Sequence, residues 1–379
     1  MMDYEALRFI WWLLIGVLLI GFVVTDGFDM GVAALLKVIG KNNDERRVMI
    51  NSIAPHWDGN QVWLVTAGGA LFAAWPTVYA ASFSGFYIAM MLTLFALFLR
   101  PLAFEYRSKI DNEQWRSRWD WALTAGSAVP ALIFGVAFGN LLQGVPFHFD
   151  DLLRLKYTGS FWALLNPFAL LAGVLSLLMI VNHGATYLQL KTEGQIKARA
   201  EAISSLMALA CAVVFVMAGI WLWLGVDGYI VTSVIDTNGG NRTIEKTVEV
   251  ASGAWFINYG KVPLLWAVPA LGVICFVLCA LFSKARAHAM AFVSSGLAMA
   301  MVLVTTGISM FPFVMPSSSM PNHSLTMWDA TASESTLFIM FWVACVFVPL
   351  ILGYTAWGYF VMRGRLNEQH IRDNTHSLY

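Results

Sequence analysis

Charge is scarce in this 379-residue sequence: Asp, Glu, Lys and Arg together make up 12% of it, against 59% hydrophobic residues. A water-soluble domain is about 25% charged. There is too little charge here to coat a soluble surface, so lipid must stand in for water over most of the chain. Lys and Arg number 23, Asp and Glu also 23, and the formal net charge is zero. No basic surplus exists to meet a phosphate backbone, which excludes nucleic acid as a partner. Cysteine is scarce too. Cys211, Cys275, Cys279 and Cys345 all lie inside apolar runs, which argues against a disulfide framework. The Cys275/Cys279 spacing resembles a metal pair only superficially, and within LGVICFVLCA it reads as apolar filler. Walker and dinucleotide fingerprints are missing, as is an internal repeat of the kind that marks inverted-repeat transporters. No cleavable signal pattern is present: Asp3 and Glu5 precede a first apolar run that is long enough to be a retained helix.

What is present is a series of long apolar runs. A bilayer-crossing helix needs about 20 such residues. Nine candidates stand out, at 8–36, 50–75, 78–105, 120–144, 160–189, 203–226, 262–283, 287–311 and 335–362. Continuous runs exclude a membrane barrel, whose strands alternate over about ten residues. The expected fold is therefore an all-α polytopic membrane protein with nine transmembrane helices and a single integral domain over 1–379. Of the 23 Lys and Arg, only Arg8, Arg154, Lys156, Arg242, Lys246 and Lys261 fall on one side of these spans. The positive-inside rule places that side outside, so the N-terminus is periplasmic and the C-terminus cytoplasmic. The longest periplasmic loop is 227–261. The Pro-rich, nearly uncharged loop 311–334 is expected to pack on something. Trp11, Trp12, Trp75, Trp162 and Trp328 read as interfacial belt residues, and Trp57 and Trp63 as lining a polar seam or a partner.

Ionisable groups inside a bilayer cost about 3 kcal/mol each on insertion scales, so those present need a reason. The first span carries Asp26 and Asp29. The second carries His56, Asp58, Asn60 and Gln61. Arg100, Glu105 and Lys109 close the third, Asp120 opens the fourth, and Asn182 and His183 lie near the inner end of the fifth. Asp29 and Asp58 are each eight residues from the cytoplasmic boundary, about 12 Å at 1.5 Å per residue. Two acids on adjacent antiparallel helices therefore share one level, with Glu105 and Lys109 below them. Such a ladder suits proton relay from the inner water. The alternative is a static ion pair, Asp29 with Arg100, holding helices whose small-residue faces, Gly27/Gly31 and Gly68/Gly69, already allow close packing. A bis-histidine haem needs two facing imidazoles. His56 and His183 are the only histidines inside spans, whereas His148, His288, His323, His370 and His376 lie in loops or near ends.

Several longer strings resemble a known family. DGFDMG (26–31), APHWDGNQVW (54–63), AGGALFAAWP (67–76), GVAFGNLLQGVPF (135–147), MFPFVMPSS (310–318), SLTMWDAT (324–331) and the terminal NTHSLY are similar to subunit II of the cytochrome bd quinol oxidases, nearest to the enterobacterial type. The resemblance covers essentially the whole chain. It implies a terminal oxidase of the bacterial inner membrane that oxidises quinol and reduces oxygen to water. Protons are taken from the cytoplasm, which generates proton motive force. It also implies a haem-bearing subunit I holding haem b558, haem b595 and haem d, a small single-helix accessory subunit, and in some members a structural ubiquinone on subunit II. This chain would ligate no haem or metal and would fold as two four-helix bundles plus one peripheral helix. Carried over by position, Asp58 is the acid of a proton path, Glu105 stands where Asp is usual, and Lys109 marks the entrance. Asp29, Arg100 and Asp120 support the haem environment, and Trp63 lies at the mouth of an oxygen route. Asp26, His56, Asn60 and Gln61 complete the polar seam. On the buried acids alone, a proton-coupled secondary transporter is the competing reading, and a passive scaffold for a haem subunit is a third.

Overall fold

The computed structural model describes residues 2–373. The terminal NTHSLY with His376 lies outside the described residues, as do the side chains of His370 and Arg372. In chain order the helices are α1 Tyr4–Ala34, α2 Leu36–Ile39, α3 Asn43–Ile53, α4 Trp57–Ala74, α5 Pro76–Gly85, α6 Tyr87–Tyr106, α7 Glu113–Gln143, α8 Pro167–Lys191, α9 Gly194–Gly225, α10 Ile257–Lys261, α11 Ala267–Lys284, α12 His288–Met310, α13 Glu334–Val361 and α14 Glu368–Asp373.

Eight helices among the described residues are long and apolar enough to cross a membrane: α1, α6, α7, α8, α9, α11 with its 3-10 lead from Pro263, α12 and α13. The predicted span 50–75 is not a single helix. α3 stops at Ile53 and α4 starts at Trp57, because Pro55 has no N–H to continue the ladder and disfavours helical geometry at the residue before it. What remains, α4, is only 18 residues long and carries Asp58, Asn60 and Gln61 in its first turns. The predicted span 78–105 is likewise divided, with α5 ending at Gly85 and α6 resuming at Tyr87. The fourth run begins earlier than predicted. Asn112 caps α7 by accepting the Trp115 N–H, which leaves Asp120 two turns inside the helix.

Packing divides the helices. α8, α9, α11 and α12 close on one another as a ring, each against the next, whereas α4, α1, α7 and α6 lie side by side as a row. α1 is shared, touching α8 and α12 as well as α4 and α7, and α13 leans on α1 and α4 from outside. Most of α13 is unburied by the rest of the chain. At the α1–α8 crossing the two backbones touch: a Cβ at Gly31 would lie 2.1 Å from the Ile180 carbonyl oxygen. Gly27 makes only ordinary contacts, with Met299 of α12 at 3.4 Å and His183 of α8 at 3.9 Å from a Cβ placed there. Gly68 and Gly69, read from sequence as a packing face, meet nothing within 4 Å, because that side of α4 faces out of the chain.

The loops on the charge-poor side correct the purely helical expectation. They form three antiparallel ribbons, β1 Phe147–Phe149 with β2 Leu155–Tyr157, β3 Asp227–Val231 with β4 Val248–Ser252, and β5 Phe313–Met315 with β6 Leu325–Thr326. Backbone that leaves a helix above a packed bundle must still pair its N–H and C=O groups, and short ribbons do so. Loop 311–334 buries Phe313, Met315, Leu325 and Met327 over the bundle end. It is tied to the β3–β4 loop by a buried Lys246–Asp329 ion pair of 2.7 Å. Arg8 of α1, fully buried, donates into the same junction at Thr237 O, Gly239 O and Thr331. Two tryptophans assigned to the belt are core residues instead. Trp75 is 1% exposed, and the Trp11 indole N–H is spent on Leu337 O.

Candidate functional site

Asp26 and Asp29 are three residues apart on α1 and so share a helix face. Both are completely buried, and Arg100 of α6 is buried beside them. The guanidinium grips Asp26, not Asp29: Nη1 donates to Oδ2 at 2.8 Å and Nη2 to Oδ1 at 2.5 Å. This bidentate fork is the strongest arrangement available to the pair. The Asp29–Arg100 alternative is thereby corrected. Asp29 lies almost one turn nearer the charge-rich end, where α4 supplies an amide. Asn60 Nδ2 donates to Asp29 Oδ2 at 2.6 Å, and the Asn60 carbonyl oxygen accepts from the Tyr359 hydroxyl of α13 at 2.5 Å. Trp57 stacks on Phe104 with ring centres 5.0 Å apart and lies 5.7 Å from the Arg100 guanidinium carbon. Asp29 Oδ1 and Arg100 Nε have no hydrogen-bond partner among the described residues. Two acids and one base therefore share a buried pocket, one carboxylate matched by the base and the other hydrogen-bonded by a neutral amide.

A second centre lies closer to the charge-rich side. Asp120, fully buried, accepts from Arg107 Nε at 2.6 Å and from Arg46 Nη1 at 3.2 Å. Arg107 also donates to Asn43 Oδ1 at 3.0 Å, so this acid joins α3, α6 and α7. Beside it, Asn42 caps α3 by accepting the Glu45 N–H. Glu45 Oε2 in turn accepts from the Lys41 N–H at 2.6 Å and from Arg199 of α9 at 2.7 Å. Burial pushes the Glu45 carboxyl up, but the Arg199 and Lys41 hydrogen bonds outweigh it and leave the group below its usual 4.5. A carboxyl depressed on folding adds stability above its unfolded value and loses it as pH falls through the folded one. We expect the melting-temperature advantage of the wild-type chain over Glu45→Gln to be full at pH 7 and to shrink progressively as pH falls below 4.5. An advantage that stays constant down to pH 3, on the order of one unit or more below that range, would contradict this.

The residues assigned to a proton path stand elsewhere. Asp58, Glu105 and Lys109 are exposed on the surface of the isolated chain. Asp58 precedes Asn60 by two positions, about 200° around the helix, so the two point to opposite sides of α4. The equal depth inferred for Asp29 and Asp58 therefore does not bring them into contact within this chain. Val62, Val65 and Phe72 continue the Asp58 face, exposed as well. Trp63 lies across α1 and fills the space above Gly21, where a Cβ would come within 2.5 Å of its ring. His56, at the α3–α4 break, packs its ring 4.5 Å from that of Tyr359, and Gln61 is half-buried. His183 has both ring nitrogens committed, Nε2 to Val24 O at 3.0 Å and Nδ1 to Ser295 at 2.5 Å, with Phe292 stacked on it. No group of three or more His, Cys, Asp or Glu among the described residues is placed to hold a metal ion. Tyr359 escaped the sequence reading. Its only signal was a hydroxyl near the charge-rich end of a very apolar helix.

An apolar cavity of about 480 Å³ lies between α7, α8, α9, α11 and α12. Phe134, Phe138, Phe215, Trp223 and Met299 line it, with Tyr259 and Ser309 near its charge-poor end.

A family model described as cytochrome bd terminal oxidase subunit II matches residues 7–362. The chain is 59% identical, over the whole of both sequences, to the cytochrome bd-I ubiquinol oxidase subunit 2 of Escherichia coli. It is 62% identical, again over both full lengths, to a probable cytochrome oxidase subunit 2 of Haemophilus influenzae. It is 33% identical to the cytochrome bd ubiquinol oxidase subunit 2 of Bacillus subtilis, over 96% of this chain and 98% of the relative. Its fold is similar to a chain of the bd oxidase from Geobacillus thermodenitrificans, with a TM-score of 0.69 and 14% identity, over 94% of this chain and 98% of that one.

Proposed function

The chain belongs to the cytochrome bd terminal oxidase subunit II family, and on that premise we propose that it serves as the haem-free partner in a multi-pass quinol:oxygen oxidoreductase of the bacterial inner membrane. The observation that carries this reading is agreement over the full length with relatives named as ubiquinol oxidase subunits. The haem-bearing partner subunit supplies the redox chemistry by which quinol is oxidised and oxygen reduced, through haem b558, haem b595 and haem d. A small single-helix subunit completes the complex.

For the chain itself we propose nine spans, α4 being the ninth, shielded on its polar face by the partner. They would form two four-helix bundles, with α13 peripheral. Asp58, Glu105 and Lys109 then line a seam between the subunits. Their exposure on one chain supports this: a carboxylate left facing acyl chains is costly, whereas one facing a partner becomes a relay point fed from the cytoplasm. Asp29, Arg100 and Asp120, with Asp26, Asn60 and His56 around them, hold the helices that shape the haem side of that seam. Trp63 borders the oxygen route. The wall of the α7–α12 cavity suits the isoprenoid tail of a structural ubiquinone.

Asp58→Asn keeps the shape of the side chain and one acceptor oxygen and removes its titratable proton. In the assembled complex it is expected to slow oxygen reduction by about a hundredfold or more, with haem content unchanged. Wild-type turnover in a fully assembled Asp58→Asn enzyme would remove the proton-path assignment. Substrate uptake by this chain reconstituted alone would instead favour a transporter.

A further inference from the structure

We propose that Tyr359 of the peripheral helix is a positioning residue for the buried Asp29 carboxyl, acting through the Asn60 carboxamide. The inference rests on the function proposed above and adds a residue to it. The Asp29 carboxyl makes one hydrogen bond within the chain, from Asn60 Nδ2 at 2.6 Å, and its other oxygen has no partner among the described residues. Every charged or titratable neighbour is otherwise engaged. On α1 and α6, Asp26 and Arg100 are locked to each other. On α8, the Tyr187 hydroxyl donates to Ser52 O at 2.9 Å, and Lys191 is spent on main-chain carbonyls. His56, beside α4, lies against the Tyr359 ring. The hydrogen bond that the Asp29 carboxyl receives therefore depends on which end of one amide faces it.

An asparagine amide has two ends that differ only in being donor or acceptor. Either could face Asp29, and a neighbour must choose. The Tyr359 O–H donates to Asn60 Oδ1 at 2.5 Å, which turns the NH₂ end towards the acid. With that O–H gone, only a long 3.5 Å contact from Asn60 Nδ2 to Thr25 O still favours this orientation, and the amide can rotate to offer its oxygen instead. Packing alone does not require the hydroxyl: a phenyl ring would keep the contacts of Tyr359 with His56 and Phe28.

The hydroxyl is also held in place. Lys191 Nζ donates to Met362 O at 2.6 Å and to Gly364 O at 3.4 Å, and the Leu366 N–H returns to Lys191 O at 2.8 Å. These bonds pin the last turn of α13 to the end of α8 and fix the register of Tyr359. α13 is otherwise little covered by the described residues, and the Tyr359–Asn60 hydrogen bond ties it to the acid pocket.

The test is a double-mutant cycle in the complete oxidase complex, with Tyr359→Phe, Asn60→Leu and both together, at matched haem content. Tyr359→Phe is expected to lower kcat about three- to tenfold, within the range of one neutral hydrogen bond, with KM for quinol unchanged. The double variant is expected to be no slower than Asn60→Leu alone, because the hydroxyl acts only through the amide. Independent, multiplying effects would overturn the proposal, as would unchanged kcat in Tyr359→Phe. Loss of the assembled complex in Tyr359→Phe, which keeps the ring, would also overturn it by assigning the hydroxyl to assembly. An active complex with a flat cycle sinks this inference alone, whereas a complex whose activity never requires this chain sinks the function on which it rests.

Discussion

Arg100→Leu is expected to destabilise the chain by about 3–5 kcal/mol, the cost of breaking a buried ion pair from one side. The reason is local. Asp26 has both carboxylate oxygens on the guanidinium, and neither residue is more than 1% exposed. Without the arginine, two buried carboxyls are left without their cation, and α1 and α6 lose this polar tie. The read-out is thermal unfolding of the detergent-solubilised complex, together with the yield of assembled protein. Asp26→Leu combined with Arg100→Leu should recover much of the loss, because no orphaned charge remains. Arg100→Lys should fall between, since an ammonium cannot reproduce the fork. A single Arg100→Leu variant that melts with the wild type would refute the buried Asp26–Arg100 ion pair.

Gly31→Val is the second large effect. At this crossing α1 and α8 approach through Gly31 and Gly184. A Cβ on Gly31 would lie 2.1 Å from Ile180 O and 2.8 Å from the Gly184 backbone, and a Cβ on Gly184 would lie 2.3 Å from the Gly31 carbonyl carbon. The obstacles are backbone atoms that cannot rotate away, so the helices must separate. Overpacking costs typically about 1–3 kcal/mol, and more where nothing can yield. We expect at least the upper end of that range, seen as a lower melting temperature and poor recovery of the complex. Gly353→Val, on an exposed face of α13 where nothing lies within 4 Å, is the control and should be near neutral. Equal behaviour of the two variants would refute the close-approach account.

Much of this architecture is legible in composition. Long uncharged runs can only be helices in lipid, and most of the predicted runs became α-helices with shifted ends. The second run misled because apolar content was counted across Pro55, which breaks the ladder whatever its neighbours are. The ribbons were invisible because strands of two to five residues carry no periodicity to read. Within the site, the shared face of Asp26 and Asp29 follows from their spacing. Their partners do not: Arg100 is 74 positions from Asp26 in sequence, and Tyr359 is 299 from Asn60. Which acid takes the guanidinium depends on where tertiary packing sets α6 relative to α1, and no local sequence pattern encodes that. Trp75 shows the converse. Its place at a run's end fits a belt residue, but loop 311–334 folds back over it.

The row formed by α4, α1, α7 and α6, set against the closed ring of the other half, bears on the life of the protein before assembly. A newly inserted copy would show the bilayer an acid and bare glycines along α4, groups that hydrocarbon solvates poorly. Such a molecule advertises its own incompleteness. Proteases and insertion chaperones that survey the bilayer could recognise that edge and remove surplus copies, so the amount of this subunit would be set by the supply of whatever covers it.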